Sequence, residues 1–208
     1  MSLIAKKKAT ENIPPLDGGT YIFVCVGVID LGEQRNETYK NYSDKIMLIF
    51  EIPSETLEID GEQKPRWLSK EYTCSLSAKS NLKKDVEAWI GKQLTDEDTE
   101  NGFDVSQMLG KSGQISVIIE KSKEGKEYNK ITSIMGLPKG MPSPDAVSAP
   151  LIYDIDNHNN EVFEKIPEWI RNKIMKSTQW QRNTEPKKID FKENYDTDET
   201  VKESKPPF

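Results

Sequence analysis

Three stretches of this 208-residue chain interleave aromatic rings with cations. The first is the polar segment 32–43, with Arg35, Tyr39, Lys40 and Tyr42, followed at once by Lys45. The second holds Arg66, Trp67, Lys70 and Tyr72, and the third holds Lys121, Lys123, Lys126, Tyr128 and Lys130. Rings offer π-faces on which splayed bases stack, and Lys or Arg side chains track the phosphates between them. That pairing is what a channel for a single nucleic-acid strand requires. Each stretch also has a plainer reading. The first fits a solvated loop whose tyrosines lean on the body, and the third fits a charged turn. In the second, strand alternation puts Arg66, Leu68, Lys70, Tyr72 and Cys74 on one face and Trp67, Ser69, Glu71 and Thr73 on the other. Leu68 and Cys74 share the cationic face, so that face fits either a binding stripe or part of a core. Trp67 likewise fits a contact or a core residue.

A fourth candidate is the end of the chain, Pro206-Pro207-Phe208. A terminal phenylalanine presents one ring and one α-carboxylate, which suits a small apolar pocket edged by a basic group. Ahead of it, residues 189–208 hold six acids against three lysines, half of the formal net charge of −6. Any nucleic-acid site must therefore be a local cationic stripe within an acidic protein. Nothing in the chain points to an enzyme or a cofactor. There is a single histidine, no glycine-rich loop followed by Lys-Ser/Thr, and no nucleophile elbow. The alternation Asp154, Asp156, His158, Asn160 resembles a calcium loop, but Asn159 stands at the glycine position and Lys165 at the closing glutamate. No metal site is expected. Cys25 and Cys74 both lie in apolar runs and read as buried free thiols of a reducing, cytoplasmic protein. No apolar run approaches the ~18 residues of a membrane span. Lys6-Lys7-Lys8 is followed by polar residues, so it is not a secretory signal.

The elements that would position these residues are mostly strands. Residues 1–17, with Pro14-Pro15, read as a flexible arm. Thr20–Ile29 is a long β-branched and aromatic run whose internal Gly27 marks a bend, letting one strand serve two faces. Lys45–Ile52 forms a second strand that Pro53 ends, and Arg66–Leu76 a third, after a charged connection with a turn at Asp60-Gly61. Leu82, Val86, Trp89 and Ile90 lie on one face of a helix that Gly91 stops. Asp104 caps a short helix. Gly113–Glu120 and Glu127–Met135 make a final hairpin. Three strands, a helix and two strands predict an all-β fold with appended helices, an OB-fold: a five-stranded Greek-key barrel with its helix between strands three and four. Other small barrels with one inserted helix would give a similar string. The barrel domain is expected over 18–140. A Pro-rich linker and an amphipathic helix over 161–177 fill 141–178, with Pro167 suited to a first helical turn so that the regular helix is open to starting there, and a disordered acidic tail occupies 179–208.

Residues 20–140 resemble the single-stranded DNA-binding proteins of phages and integrated mobile elements. The resemblance is carried by Trp67-Leu-Ser-Lys-Glu-Tyr-Thr-Cys-Ser-Leu76, by Gly102-Phe-Asp-Val with Leu109-Gly110, and by Ile166-Pro-Glu-Trp-Ile-Arg171. The terminal Pro-Pro-Phe is similar to the tail tip of that family, although Ser204-Lys205 stands where the family places acids. The resemblance implies sequence-independent binding of single-stranded DNA in phage-type replication or recombination. It also implies recruitment of replication or recombination enzymes through Pro206, Pro207 and Phe208. It leaves open whether the protein is a monomer or a homo-oligomer. The competing expectation is a phage-type structural or protein-interaction module that uses a small barrel without binding DNA.

Overall fold

The computed structural model describes residues 13–59 and 61–184. Within them the fold is mostly β: β1 (Gly19–Asn36), β2 (Asn41–Ile59), β3 (Glu62–Thr73), β4 (Ser112–Lys121), β5 (Glu127–Met135) and β6 (Leu151–Tyr153). The first five form a curled antiparallel half-barrel in the order β3-β2-β1-β4-β5, and β6 runs parallel to β1 at Gly27–Ile29. Between β3 and β4 lie α1 (Asn81–Ile90), α2 (Asp96–Glu100) and a single 3-10 turn (Val105–Met108). After β6 come α3 (Asn160–Lys165), α4 (Glu168–Ile174) and α5 (Thr178–Thr184).

The apolar run of β1 is long because it feeds two cores. Phe23, Cys25 and Val28 face a first core inside the curl, while Val24, Val26, Ile29 and Leu31 face a second core outside it. The register with β2 slips between Cys25 and Gly27. A Cβ at Gly27 would lie 2.8 Å from the Ile49 side chain, so the bulge requires a residue without one. In the first core the rings of Phe23, Phe50 and Trp89 meet edge to face, with centroids 4.7 to 5.9 Å apart. Trp89 arrives there from α1 with Leu82 and Val86, and Gly91 ends that helix with a left-handed backbone at φ 71°.

β3 and β5 stand at the two ends of the strand order, and two other elements span the gap between them. α1 packs on both strands. The Gly136 amide donates to the Ala88 carbonyl at 3.2 Å. Asp85 accepts from Lys70 Nζ at 2.6 Å and from the Tyr72 hydroxyl at 2.7 Å. Further along, the arm does the same work. Arg66 donates to the Pro14 carbonyl, and Asn129 clasps both the amide and the carbonyl of Leu16 at 2.8 Å each. Leu16 is buried in the first core. The expected flexible arm over 1–17 is therefore pinned over 14–16, and residues 1–12 lie outside the described residues.

Several boundaries differ from expectation. The segment 32–43 is a hairpin ribbon, since β1 and β2 pair out to Asn36 and Asn41. Pro53 marks a register irregularity between Ile52 and Thr56 instead of ending β2, and the charged connection pairs as Thr56–Ile59 against Glu62–Pro65. Of the amphipathic helix expected over 161–177, the regular part begins at Pro167, its N-cap, as that residue's fit to a first turn implies, and a separate short helix, α3, precedes it because proline cannot donate to the turn before it. Helix α5 occupies the first residues of the expected tail. Trp180 stacks on Phe163 with centroids 4.8 Å apart, and that apolar contact orders the segment. Residues beyond 184 lie outside the described residues. The linker and C-terminal helix expected over 141–178 are integral to the fold. Leu151, Tyr153, Ile155, Phe163, Ile166, Ile170 and Ile174 cover the outer face of β1 and β2 as the second core. The fully buried Glu51 fastens the linker by accepting from the amides of Val147 at 2.6 Å and Ser148 at 3.0 Å.

Candidate nucleic-acid interface

The row Arg66, Lys70 and Tyr72, expected as a binding stripe, faces inward and fastens the sheet, although Arg66 also borders a cleft along the β3 edge. Arg66 holds the arm, and Lys70 and Tyr72 hold α1. Tyr72 is only 3% exposed, and Lys70 Nζ sits 5.3 Å from its ring centroid. Burial, and then the Asp85 carboxylate, push the Tyr72 phenol far above its ordinary range, so its proton stays committed to Asp85. Neither side chain has a ring face or charge to spare for a strand outside. Cys74, on the same stripe, is exposed at the end of the strand instead of buried, while Cys25 is buried as expected; both thiols are free.

The second group is the tip of the β1–β2 ribbon. Tyr39 and Tyr42 are exposed, Tyr39 at 77%, and Lys40 takes a left-handed backbone at φ 51°. Arg35 lies 3.8 Å from Glu37, and Lys45 Nζ donates to the Thr73 hydroxyl at 2.8 Å. Tyr42 pairs with Arg35, whereas Arg66 pairs with Ile52. Ten residues of β2 separate those positions, about 33 Å along the strand. The ribbon tip and the Arg66–Trp67 end of β3 therefore do not share one channel.

The third group does assemble. A cleft of about 620 Å³ runs along the β3 edge, walled by Lys64–Leu68, by Lys126 and the first residues of β5 to Asn129, by the arm at Ile13 and Pro15, and by Pro167 and Trp169. Leu57 and Ile59 add apolar surface. Three aromatic residues open onto it: Trp67, Tyr128 and Trp169, exposed at 36%, 43% and 50%. Each is held from behind. Trp67 Nε1 donates to Glu51 at 3.3 Å and to the Ser148 hydroxyl at 3.2 Å. The Tyr128 hydroxyl donates to Glu120 at 2.8 Å, and Lys130 donates to the other oxygen of that carboxylate at 2.7 Å. These bonds, Lys130 first and then Tyr128, hold Glu120 below the usual carboxylate range, while the same carboxylate raises Tyr128 and Lys130. Lys173 Nζ lies 5.9 Å from the Trp169 ring centroid and donates to Glu71 at 2.6 Å.

The cations are unequal. Among the described residues Lys123 and Lys126 form no ion pair, whereas Lys64 lies 3.2 Å from Glu62 and Lys130 is committed to Glu120. Lys126 lines the cleft; Lys123, Lys130 and the ribbon-tip residues do not. Of the sequence-based candidates the fold brings together Arg66, Trp67, Lys126 and Tyr128. Sequence reasoning missed Lys64 and Trp169. Trp169 does carry a signal, as a tryptophan beside the buried stripe Ile166, Ile170 and Ile174, but no spacing ties it to Trp67.

No protein-family model and no curated protein matches the chain. Among the described residues no group of three or more His, Cys, Asp or Glu side chains is placed to hold a metal ion. Asp154 instead accepts from the Asp156 amide at 2.9 Å and from Asn157 at 2.6 Å, and His158 sits 2.8 Å from both the Tyr153 hydroxyl and Asn160 Oδ1. No helix among the described residues is long and apolar enough to cross a membrane.

Proposed function

We propose that this chain binds single-stranded DNA without sequence preference, in replication or recombination of the phage type. The observation that carries the reading is the cleft: three ring-bearing side chains held by hydrogen bonds or a neighbouring cation, an apolar floor, and at its wall Lys126, which forms no ion pair among the described residues. Stacking is indifferent to base identity, and rings already held in place lose little freedom when a base arrives. The curled sheet with α1 between β3 and β4 supports an OB-like barrel, a fold whose strand-two and strand-three face and last hairpin commonly bind oligonucleotides. Recruitment of partner enzymes through Pro206, Pro207 and Phe208 belongs to the same proposal. Those residues lie outside the described residues.

The test is a titration of the purified full chain with labelled oligo-dT and with a duplex of equal length, at several salt concentrations. The proposal expects tight binding to the single strand, much weaker binding to the duplex, and a falling log K with log salt. Equal affinity for the two, or none for oligo-dT, would overturn it in favour of a barrel that binds only protein.

A further inference from the structure

Resting on that reading, we infer that Trp169 of α4 is a base-stacking residue, and that the C-terminal unit therefore contributes to the nucleic-acid interface as well as bracing the barrel. The apolar residues around Trp169 are sunk in the second core: Ile166 and Ile170 at 1% exposure and Ile174 at 0%. Trp169 alone turns away from that core and leaves 50% of its surface open, on the cleft that Trp67 lines from β3. A half-exposed indole gains little for the fold, since the core that seats α4 is complete without it.

It is nonetheless held in position. Lys173, one turn further along α4, places its ammonium 5.9 Å from the indole centroid and ties that turn to Glu71 on the outer face of β3 at 2.6 Å. The Lys173 carbonyl also accepts from Gln34 at 3.0 Å, fixing the same turn to β1. Trp67, on the facing wall, is tied through its Nε1 to Ser148, so the segment that leads into the C-terminal unit also orients the other indole. Two indoles presented to one cleft by two parts of the chain, one tied by its N–H and the other beside the Lys173 ammonium, suit successive bases of one strand. The short Pro167–Trp169 segment thus adds a wall that the five-stranded body lacks.

The experiment uses the full chain labelled with 5-fluorotryptophan, which gives one fluorine signal for each of its four tryptophans, assigned through Trp→Phe variants. On adding oligo-dT the Trp169 and Trp67 signals are expected to move and that of the buried Trp89 to stay. In parallel, Trp169→Ala should weaken oligo-dT binding by about tenfold to a hundredfold. The salt dependence should not change, because no phosphate contact is lost, and Trp169→Phe should restore most of the affinity. A stationary Trp169 signal beside a moving Trp67 signal would overturn the inference and leave the cleft intact as a DNA site. So would a folded Trp169→Ala protein with wild-type affinity while Trp67→Ala is weakened. If wild-type protein binds no oligo-dT at all, both the inference and the proposed function fall.

Discussion

Trp67 and Tyr72 are five residues apart on one strand and have opposite roles. Tyr72 points into the curl, 3% exposed, with its hydroxyl spent on Asp85. Trp67 points outward, tied by its indole N–H to Glu51 and Ser148 with a ring surface still open to the cleft. The inward row Arg66, Lys70 and Tyr72 closes a sheet whose two edge strands do not pair, while the outward ring borders a cleft that also holds Tyr128, Trp169 and Lys126. A stretch of cations and aromatics can therefore be either a binding stripe or the fastening of a half-barrel. The deciding fact is what stands opposite: Asp85 of α1 and the Pro14 carbonyl on one side, open cleft on the other.

The largest effect that separates the two faces should be on stability. Tyr72→Ala removes a buried ring and leaves Asp85 with Lys70 alone, so about 3–5 kcal/mol of folding stability should be lost in urea melts. Its folded fraction should bind oligo-dT normally. A binding defect without loss of stability would return Tyr72 to the interface. Trp67→Ala should show the reverse pattern. Its affinity should fall by about 1–3 kcal/mol while stability changes less than for Tyr72→Ala, as read by fluorescence anisotropy and by melting. Lys126→Ala should be weaker still, under about 1 kcal/mol at moderate salt, and should lower the slope of log K against log salt by about one unit. An unchanged slope would remove Lys126 from the phosphate path. Smallest of all, Tyr39→Ala with Tyr42→Ala at the ribbon tip should leave affinity within about 0.5 kcal/mol of wild type, as for surface positions with no partner in the site. A loss comparable to that of Trp67→Ala would move the site to the far end of β2.

Much of this architecture is legible in the residues. The Thr20–Ile29 run with its Gly27, the Leu82-Val86-Trp89 face, the Gly91 stop and the Lys123–Lys126 turn all fall where local patterning puts them. These features depend on neighbours in sequence. What was not legible depends on partners far away. The facing of β3 was ambiguous because Leu68 and Cys74 are as compatible with a partly exposed stripe as with a core. Only Asp85, on a helix after the strand, and Pro14, far ahead of it, decide the matter. The Pro-rich linker looked unstructured because its anchor, Glu51, is a charged residue in the middle of an apolar strand. Trp169 joins Trp67 across about a hundred residues, a separation no periodicity reveals. The expected tail began too early because the one aromatic residue in 179–184, Trp180, finds its stacking partner in α3.

The most direct measurement is photocrosslinking of the full chain to oligo-dT carrying bromodeoxyuridine, followed by mapping of the adducted peptides. The cleft account predicts adducts on Trp67, Tyr128 or Trp169 and none on Tyr39, Tyr42 or Tyr72. Adducts confined to the ribbon-tip tyrosines, with the cleft rings unmodified, would contradict it.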